Sequence, residues 1–456
     1  MAAEPKYHEL YYSSLWKFFS VKKDTLISFL ILTTAIFIHY ILNSLFPDNS
    51  YAWVISILIW GCGLYWVRRS IPVVILFLFF ISYLWIPYYH FFDSKQISIY
   101  HHFQSSSMIN RVSFLNSIFV GFFSLVLKNI SDKKLLEPMR WVKSNEIIFY
   151  LTLIPCFISL YFGLRGESLI VSGYGQSEVQ KSALHEYFIV FYLFTLLFMS
   201  KDSKIQKVIV ILLLIFYSFK TLIYGGRIEV IQIGLLFFYV YYNYLKNISR
   251  FLIYGFMCAG WIFMSMMGSI RSDPVLFLES LNSSTSFISF FISSGNSPYL
   301  MTTSSDVYYS SMRMLGLVDI GVLDFSNSFH SFLSYIFNIF LSFSEYKVLS
   351  NLAILKVSEY PVGGGGLIHT YFFVWLGYIG VILIAFFLGG IIQLMHSNCS
   401  FVIRVYGLLL LVTFPRWFAY TPINLVKICI VGVIMYFLFL VVKGSLKNST
   451  RIKRFL

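Results

Sequence analysis

Apolar runs of similar length, separated by polar stretches, occupy most of this chain. They fall at residues 25–46, 51–67, 71–88, 112–128, 146–162, 184–200, 206–224, 228–245, 251–268, 367–395, 399–414 and 423–442. A helix of about 20 apolar residues crosses a hydrocarbon layer of about 30 Å while satisfying its own backbone hydrogen bonds. The pattern therefore predicts an all-α integral membrane protein with about 12 transmembrane helices. One polytopic domain is expected, with nine spans over 24–268, a long loop over 269–366, three spans over 367–442 and a basic tail over 443–456. The polar, irregular sequence lies at 89–111, 163–183 and above all 269–366, which is rich in Ser, Asn, Gly and Asp. Within it, 329–343 is moderately apolar but interrupted by His330, Asn338 and several serines, which predicts an amphipathic helix on the membrane or a re-entrant segment.

Composition supports the membrane reading and removes the alternatives. The chain of 456 residues is 58% hydrophobic and only 12% charged, against roughly a quarter charged in a soluble domain. A net charge of +14 would suit nucleic acid, but the basic residues punctuate the gaps between apolar runs and form no single patch. They set topology instead. With the N-terminus inside, Lys6, Lys17, Lys22, Lys23, Arg68, Arg69, Lys128, Lys133, Lys134, Arg140, Lys143, Lys201, Lys204, Lys207, Lys246, Arg250, Arg404 and the tail from Lys443 to Arg454 all fall in the cytoplasm. About 22 Lys and Arg then lie inside against about 10 outside, as the positive-inside rule requires, with both termini cytoplasmic. The first run is too long for a signal-peptide core and reads as a signal anchor. Cys62, Cys156, Cys258, Cys399 and Cys429 show no metal spacing and no extracellular disulfide framework, so they read as packing residues. No internal repeat relates the two halves.

Polar residues that could carry chemistry converge on the outer face. Tyr224-Gly225-Gly226-Arg227-Ile228-Glu229 occupies an outer turn, and Arg271-Ser272-Asp273 follows the next outward span. Pro415-Arg416-Trp417 occupies another outer turn, Arg165-Gly166-Glu167 an outer loop, and Gly363 to Gly366 lead into Leu367-Ile368-His369-Thr370. The positive-inside rule makes outer arginines costly, so their retention points to an anionic ligand. A guanidinium matches phosphate oxygens with a planar fork of donors and keeps its charge. Plainer readings stand beside this one. Arg227 suits a snorkelling hairpin residue, Arg416 a neighbour of the aromatic anchors Trp417 and Tyr420, and His369 an interfacial polar residue. Arg165 could pair with Glu167, Glu229 with Arg227, while Lys220 and Lys427 read as snorkelling side chains. No Walker loop, dinucleotide fingerprint, zinc motif or Asp-x-Asp pair is present, so neither metal nor cofactor is expected.

The layout and three local motifs resemble the O-antigen and related oligosaccharide repeat-unit polymerases, the Wzy type, of Gram-negative inner membranes. The motifs are Gly225-Gly226-Arg227 opening a span, the glycine run before Leu367-Ile368-His369, and Pro415-Arg416-Trp417 followed by Tyr420 and Pro422. The loop pattern of an arginine followed at fixed distance by a glycine, carried by some members, is only loosely approximated after Arg165 and is not evident after Arg271. The resemblance implies a periplasmic glycosyl transfer with an undecaprenyl-diphosphate glycan as donor and an incoming lipid-linked repeat unit as acceptor. It implies membrane lipid and a chain-length regulator as partners, and no nucleic acid. Arg227, Arg271, Arg416 and Arg165 would hold the diphosphate. His369, with Glu167 and Glu229 behind it, would serve as the base. An O-antigen ligase shares this layout, and a lipid-linked oligosaccharide flippase shares the span number without the chemistry.

Overall fold

The computed structural model describes residues 23–136, 145–166, 180–200, 202–245, 303–340, 349–355, 357–361, 364–397 and 400–452, with scattered positions between 249 and 280. Glu167, Arg271, Gly363 and most of 251–268 lie outside the described residues. The described chain is helical throughout, apart from one two-stranded antiparallel pair, Leu164–Arg165 (β1) with Gln180–Lys181 (β2). The helices, numbered in chain order, begin with α1 (Lys23–Leu45), α2 (Tyr51–Val67), α3 (Ile71–Ile81), α4 (Trp85–Phe92), α5 (Ser106–Val126) and α6 (Asp132–Leu136). Next come α7 (Glu146–Phe162), α8 (Ala183–Phe198), α9 (Lys204–Ile223) and α10 (Arg227–Leu245). The C-terminal part holds α11 (Thr303–Asp319), α12 (Phe325–Phe340), α13 (Ile368–His396), α14 (Phe401–Val412), α15 (Phe414–Ala419) and α16 (Ile423–Ile452).

Six helical stretches among the described residues are long and apolar enough to cross a membrane: Asp24–Leu45, Ile71–Phe92, Ser106–Val126, Lys204–Ile223, Ile368–His396 and Ile423–Gly444. Four shorter apolar helices accompany them, α2, α7, α8 and α14. The protein is an all-α membrane protein. Its outward surface shows this directly, since Leu26, Leu30 and Phe37 on α1 and Ile205, Ile215 and Phe219 on α9 are exposed apolar side chains suited only to lipid. On α9 the buried set Gln206, Val210, Leu213, Tyr217 and Thr221 recurs every three or four residues, a single inward stripe. On α10, Glu229, Gln232, Ile233, Leu236 and Tyr239 do the same.

The core is built around α5, whose side chains are almost all buried and which packs against α1, α2, α11 and α13. Helix starts are set by local chemistry. Ser105 caps α5 by accepting from the Met108 amide, so the helix begins six residues before the apolar run at 112. Asn145 and Ser203 cap α7 and α9 in the same way. Asp132 accepts the Ile71 amide at 2.6 Å, closing the start of α3 from a distant segment. Pro87 cannot donate to a carbonyl one turn back, and the chain tightens to a 3-10 turn over Ser82–Leu84 before α4. In α13, Gly377 adopts φ +65° and ψ −158°, a left-handed break that sets Ile368–Leu376 off from the rest of the helix.

Four expectations change. The segment read as irregular contains a helix, α11, whose residues from Val307 to Leu317 are all buried. The apolar piece starts at Phe325 instead of 329, and α12 turns Ser328, Ser331, Ser334, Tyr335 and Asn338 inward while Phe325, Phe329, Phe337 and Phe340 are exposed. The last span continues as helix through the basic tail to Ile452. Arg404, counted among the solvated cytoplasmic charges, is buried in the first turn of α14.

Candidate functional site

The site assembles at the bundle end that carries the N-termini of α5, α8, α10 and α13. Its first element is the α9–α10 hairpin. Gly226 donates to the Thr221 carbonyl at 2.8 Å, and a Cβ there would stand 2.6 Å from Thr221 Cγ2 and 3.0 Å from Glu229 Oε2. The missing side chain thus leaves room for the Glu229 carboxylate, which turns into the bundle with its side chain 8% exposed. The β1–β2 pair, closed by Ser182 N donating to Gly163 O at 3.0 Å, brings Lys181 to the start of α8. The first turn of α8 supplies Glu186.

Arg416 enters from α15, which follows α14 after a single residue, Thr413. Its neighbours fix it from both sides. Trp417 Nε1 donates to the Leu410 carbonyl at 2.9 Å, and Phe418 stacks on Phe80 with ring centres 4.0 Å apart. Arg416 Nη1 meets Glu186 Oε1 at 3.1 Å while Nη2 donates to Glu229 Oε1, so one guanidinium bridges carboxylates from two helices. Lys181 Nζ also donates to Glu229 and lies 3.6 Å from Glu186 Oε1. Two cations and two anions therefore form a closed network, in which Glu229 is buried, Arg416 and Glu186 are half-buried and Lys181 is exposed.

The glycine run docks beside this network. A Cβ on Gly365 would stand 2.2 Å from Tyr420 Cα, so only glycine allows the two backbones to meet. Gly366 N donates to Tyr420 O at 3.1 Å, and Tyr371 Oη donates to the same carbonyl at 3.1 Å. From α11, Ser310 donates to Gly364 O and Ser311 accepts from Leu367 N, both at 2.9 Å. His369 follows, fully buried, with its ring 6.2 Å from both Phe119 and Phe418. Phe418, two residues after Arg416, thus ties α15 and His369 into one aromatic knot.

The remaining candidates are dispersed. Arg227 is half-buried at the start of α10. Two residues apart on a helix, Arg227 and Glu229 leave on different sides, and Glu229 finds Lys181 and Arg416. Arg165 is exposed on β1 with its guanidinium 4.7 Å from the centre of the Phe162 ring. Lys220, read as a snorkelling residue, instead donates to Leu160 O at 2.7 Å and Tyr161 O at 3.2 Å, closing the C-terminal turn of α7. Sequence reading missed Lys181 and Glu186; the available signal was a carboxylate in the first turn of an otherwise apolar helix. No group of three or more His, Cys, Asp or Glu converges as a metal site among the described residues. No protein-family model, curated sequence or solved structure matches the chain.

Proposed function

We propose that this protein is a polymerase of lipid-linked oligosaccharide repeat units in a bacterial inner membrane, acting on the periplasmic face in O-antigen synthesis. The observation that carries the reading is Arg416, held at one end of the bundle between Glu186 and Glu229 with Lys181 beside it. In the reaction, an acceptor hydroxyl of the incoming repeat unit attacks the anomeric carbon of the growing glycan. A carbon–oxygen bond forms there, the bond to the diphosphate oxygen breaks, and undecaprenyl diphosphate leaves with the electron pair. Negative charge grows on that diphosphate, so fixed cations beside it stabilise the transition state more than the ground state, typically by several kcal/mol. Arg416, with Lys181 added to Arg227, Arg271 and Arg165, supplies those cations. The acceptor proton passes to a base, with His369, Glu229 and Glu167 as the candidates. Among these Glu229 is the one that touches Arg416, and a diphosphate taking over Arg416 would release its carboxylate to accept the proton. The partners are then undecaprenyl-diphosphate glycans and a chain-length regulator.

The test is the lipopolysaccharide pattern of a host lacking the gene and complemented with wild type, Arg416→Lys or Arg227→Ala, with membrane levels of each protein measured. Wild type should restore the ladder, and Arg416→Lys at normal level should leave core plus one repeat unit, because an ammonium lacks the planar two-nitrogen fork that Arg416 presents. Bare core in the deleted strain would sink the polymerase reading in favour of a ligase or flippase. A normal ladder from Arg416→Lys would remove the arginine from the mechanism.

A further inference from the structure

A second cluster at the same end of the bundle is not used by this chemistry. α11 is pinned to α5 by Tyr308 Oη, which lies 2.9 Å from both Ser113 Oγ and Ile109 O. On α11, Arg313 is fully buried; its Nε donates to Tyr360 O at 3.1 Å and its Nη2 to Leu355 O at 2.6 Å. Its third nitrogen, Nη1, has no hydrogen-bond partner among the described residues, nor does the buried hydroxyl of Tyr309 one helical turn away. Buried donors are nearly always satisfied, and a guanidinium nitrogen is among the costliest to leave open. Two open groups on successive turns of one helix face call for an oxygen-bearing guest.

Aromatic rings stand around them. The Tyr100 ring lies 5.3 Å from that of Tyr309, while His102 and Phe103 lie 5.4 and 5.1 Å from Tyr360. Tyr100 and Tyr360 are half-buried and His102 is exposed, so the rings are reachable from solvent. The loop that presents them is rigidly built. Gln104 accepts from Ile97 N at 3.0 Å and donates to Ser98 O at 3.0 Å. Phe103 sits in the left-handed region at φ +58°, and a Cβ on Gly316 would fall 2.1 Å from its ring. A non-glycine residue held there stores strain, and such strain gathers at binding sites.

We infer that Tyr100, whose ring lies against that of Tyr309, and Tyr360, whose carbonyl holds Arg313 and whose ring lies against His102, form a pyranose-binding subsite with the open Arg313 Nη1 and Tyr309 hydroxyl. The C–H face of a sugar ring would stack on the aromatic surface while a ring hydroxyl or carboxylate oxygen accepts from Arg313. Its assignment to the acceptor repeat unit rests on the function proposed above; the binding itself does not.

Saturation-transfer NMR on the full chain in lipid nanodiscs, with a panel of methyl hexopyranosides and methyl hexuronosides, tests it. At least one glycoside should receive saturation from wild type, and the signal should fall by about threefold or more in the Tyr100→Ala/Tyr360→Ala variant. That variant keeps the Tyr360 carbonyl that anchors Arg313. Arg416→Lys should keep the signal. The subsite is overturned if no glycoside binds, if binding survives the double variant, or if Arg416→Lys abolishes it, which would put the sugar at the charged network. Binding as expected in a protein whose deletion gives bare core would leave the subsite standing and remove the polymerase reading.

Discussion

At the scale of single residues, the question is what holds Arg416 in place. Its side chain is 18% exposed and that of Glu229 8%, so each would be strongly penalised without the other. Removing one partner of such a pair costs about 3 kcal/mol, most of it from the stranded charge. Glu229→Gln and Arg416→Gln should each lower the unfolding midpoint of the detergent-purified protein, and the double variant should cost clearly less than the two added together. Additive losses in that thermal cycle would mean that the two side chains do not act as one unit. Half of this network was legible in the sequence. Arg416 and Glu229 stand out because charge is expensive at helix ends in an apolar chain. Glu186 left one trace, a carboxylate in the first turn of an apolar helix, but the pairing of Lys181 with Glu229 and of Glu186 with Arg416 spans more than 40 residues and leaves none. Arg313 was hidden for a different reason: it sits in a stretch of Ser, Asp and Tyr residues that reads as polar loop.

The same contrast governs the helices. α9 announced itself, because a narrow inward stripe on a lipid-facing surface is what an apolar run with few polar positions encodes. α11 did not. Ser305, Ser310 and Ser311 are buried along with Tyr308, Tyr309 and Arg313, so no polar face alternates with an apolar one and the stretch reads as loop. α12 was half legible. Its length of about 24 Å is too short to cross the hydrocarbon layer, and its faces are inverted relative to a soluble helix. The polar side packs inward, where Trp375 Nε1 donates to Ser331 Oγ at 2.9 Å and the Tyr335 ring stacks on Trp375 at 4.8 Å. The phenylalanine side faces outward, next to helices whose own exposed side chains face lipid. The expected position is at the membrane interface. Phe337→Trp in nanodiscs should be quenched by lipids brominated high on the acyl chain and much less by deep bromination. Equal quenching at both depths would place the helix across the bilayer, and none at either would put that face in water.

For the molecule as a whole, the crossings decide whether the charged network and the aromatic cluster can share a substrate outside the cell. The six long apolar stretches and four shorter ones do not reach twelve. The count needs α10 and the 251–268 stretch as well. α10 carries Glu229, Gln232 and Tyr239, but these face inward, and the helix packs against α8, α9, α14 and α15. α14 has only 12 residues, yet α15 continues it after one residue, and together they approach the length of a crossing. Parity offers a sharp check. If α12 lies at the interface, three crossings separate the exposed turn at Gly321 from the C-terminus: α13, the α14–α15 pair and α16. Alkaline phosphatase inserted at Gly321 should then be active in the periplasm, while green fluorescent protein fused after the C-terminus should fluoresce in the cytoplasm. If α12 crossed, the two reporters would share one side of the membrane and only one of them would work. That result would also set Arg313 and Arg416 against the direct contacts that join them through Gly364, Gly365 and Tyr420, because α11 and the start of α13 would then have to meet from opposite faces.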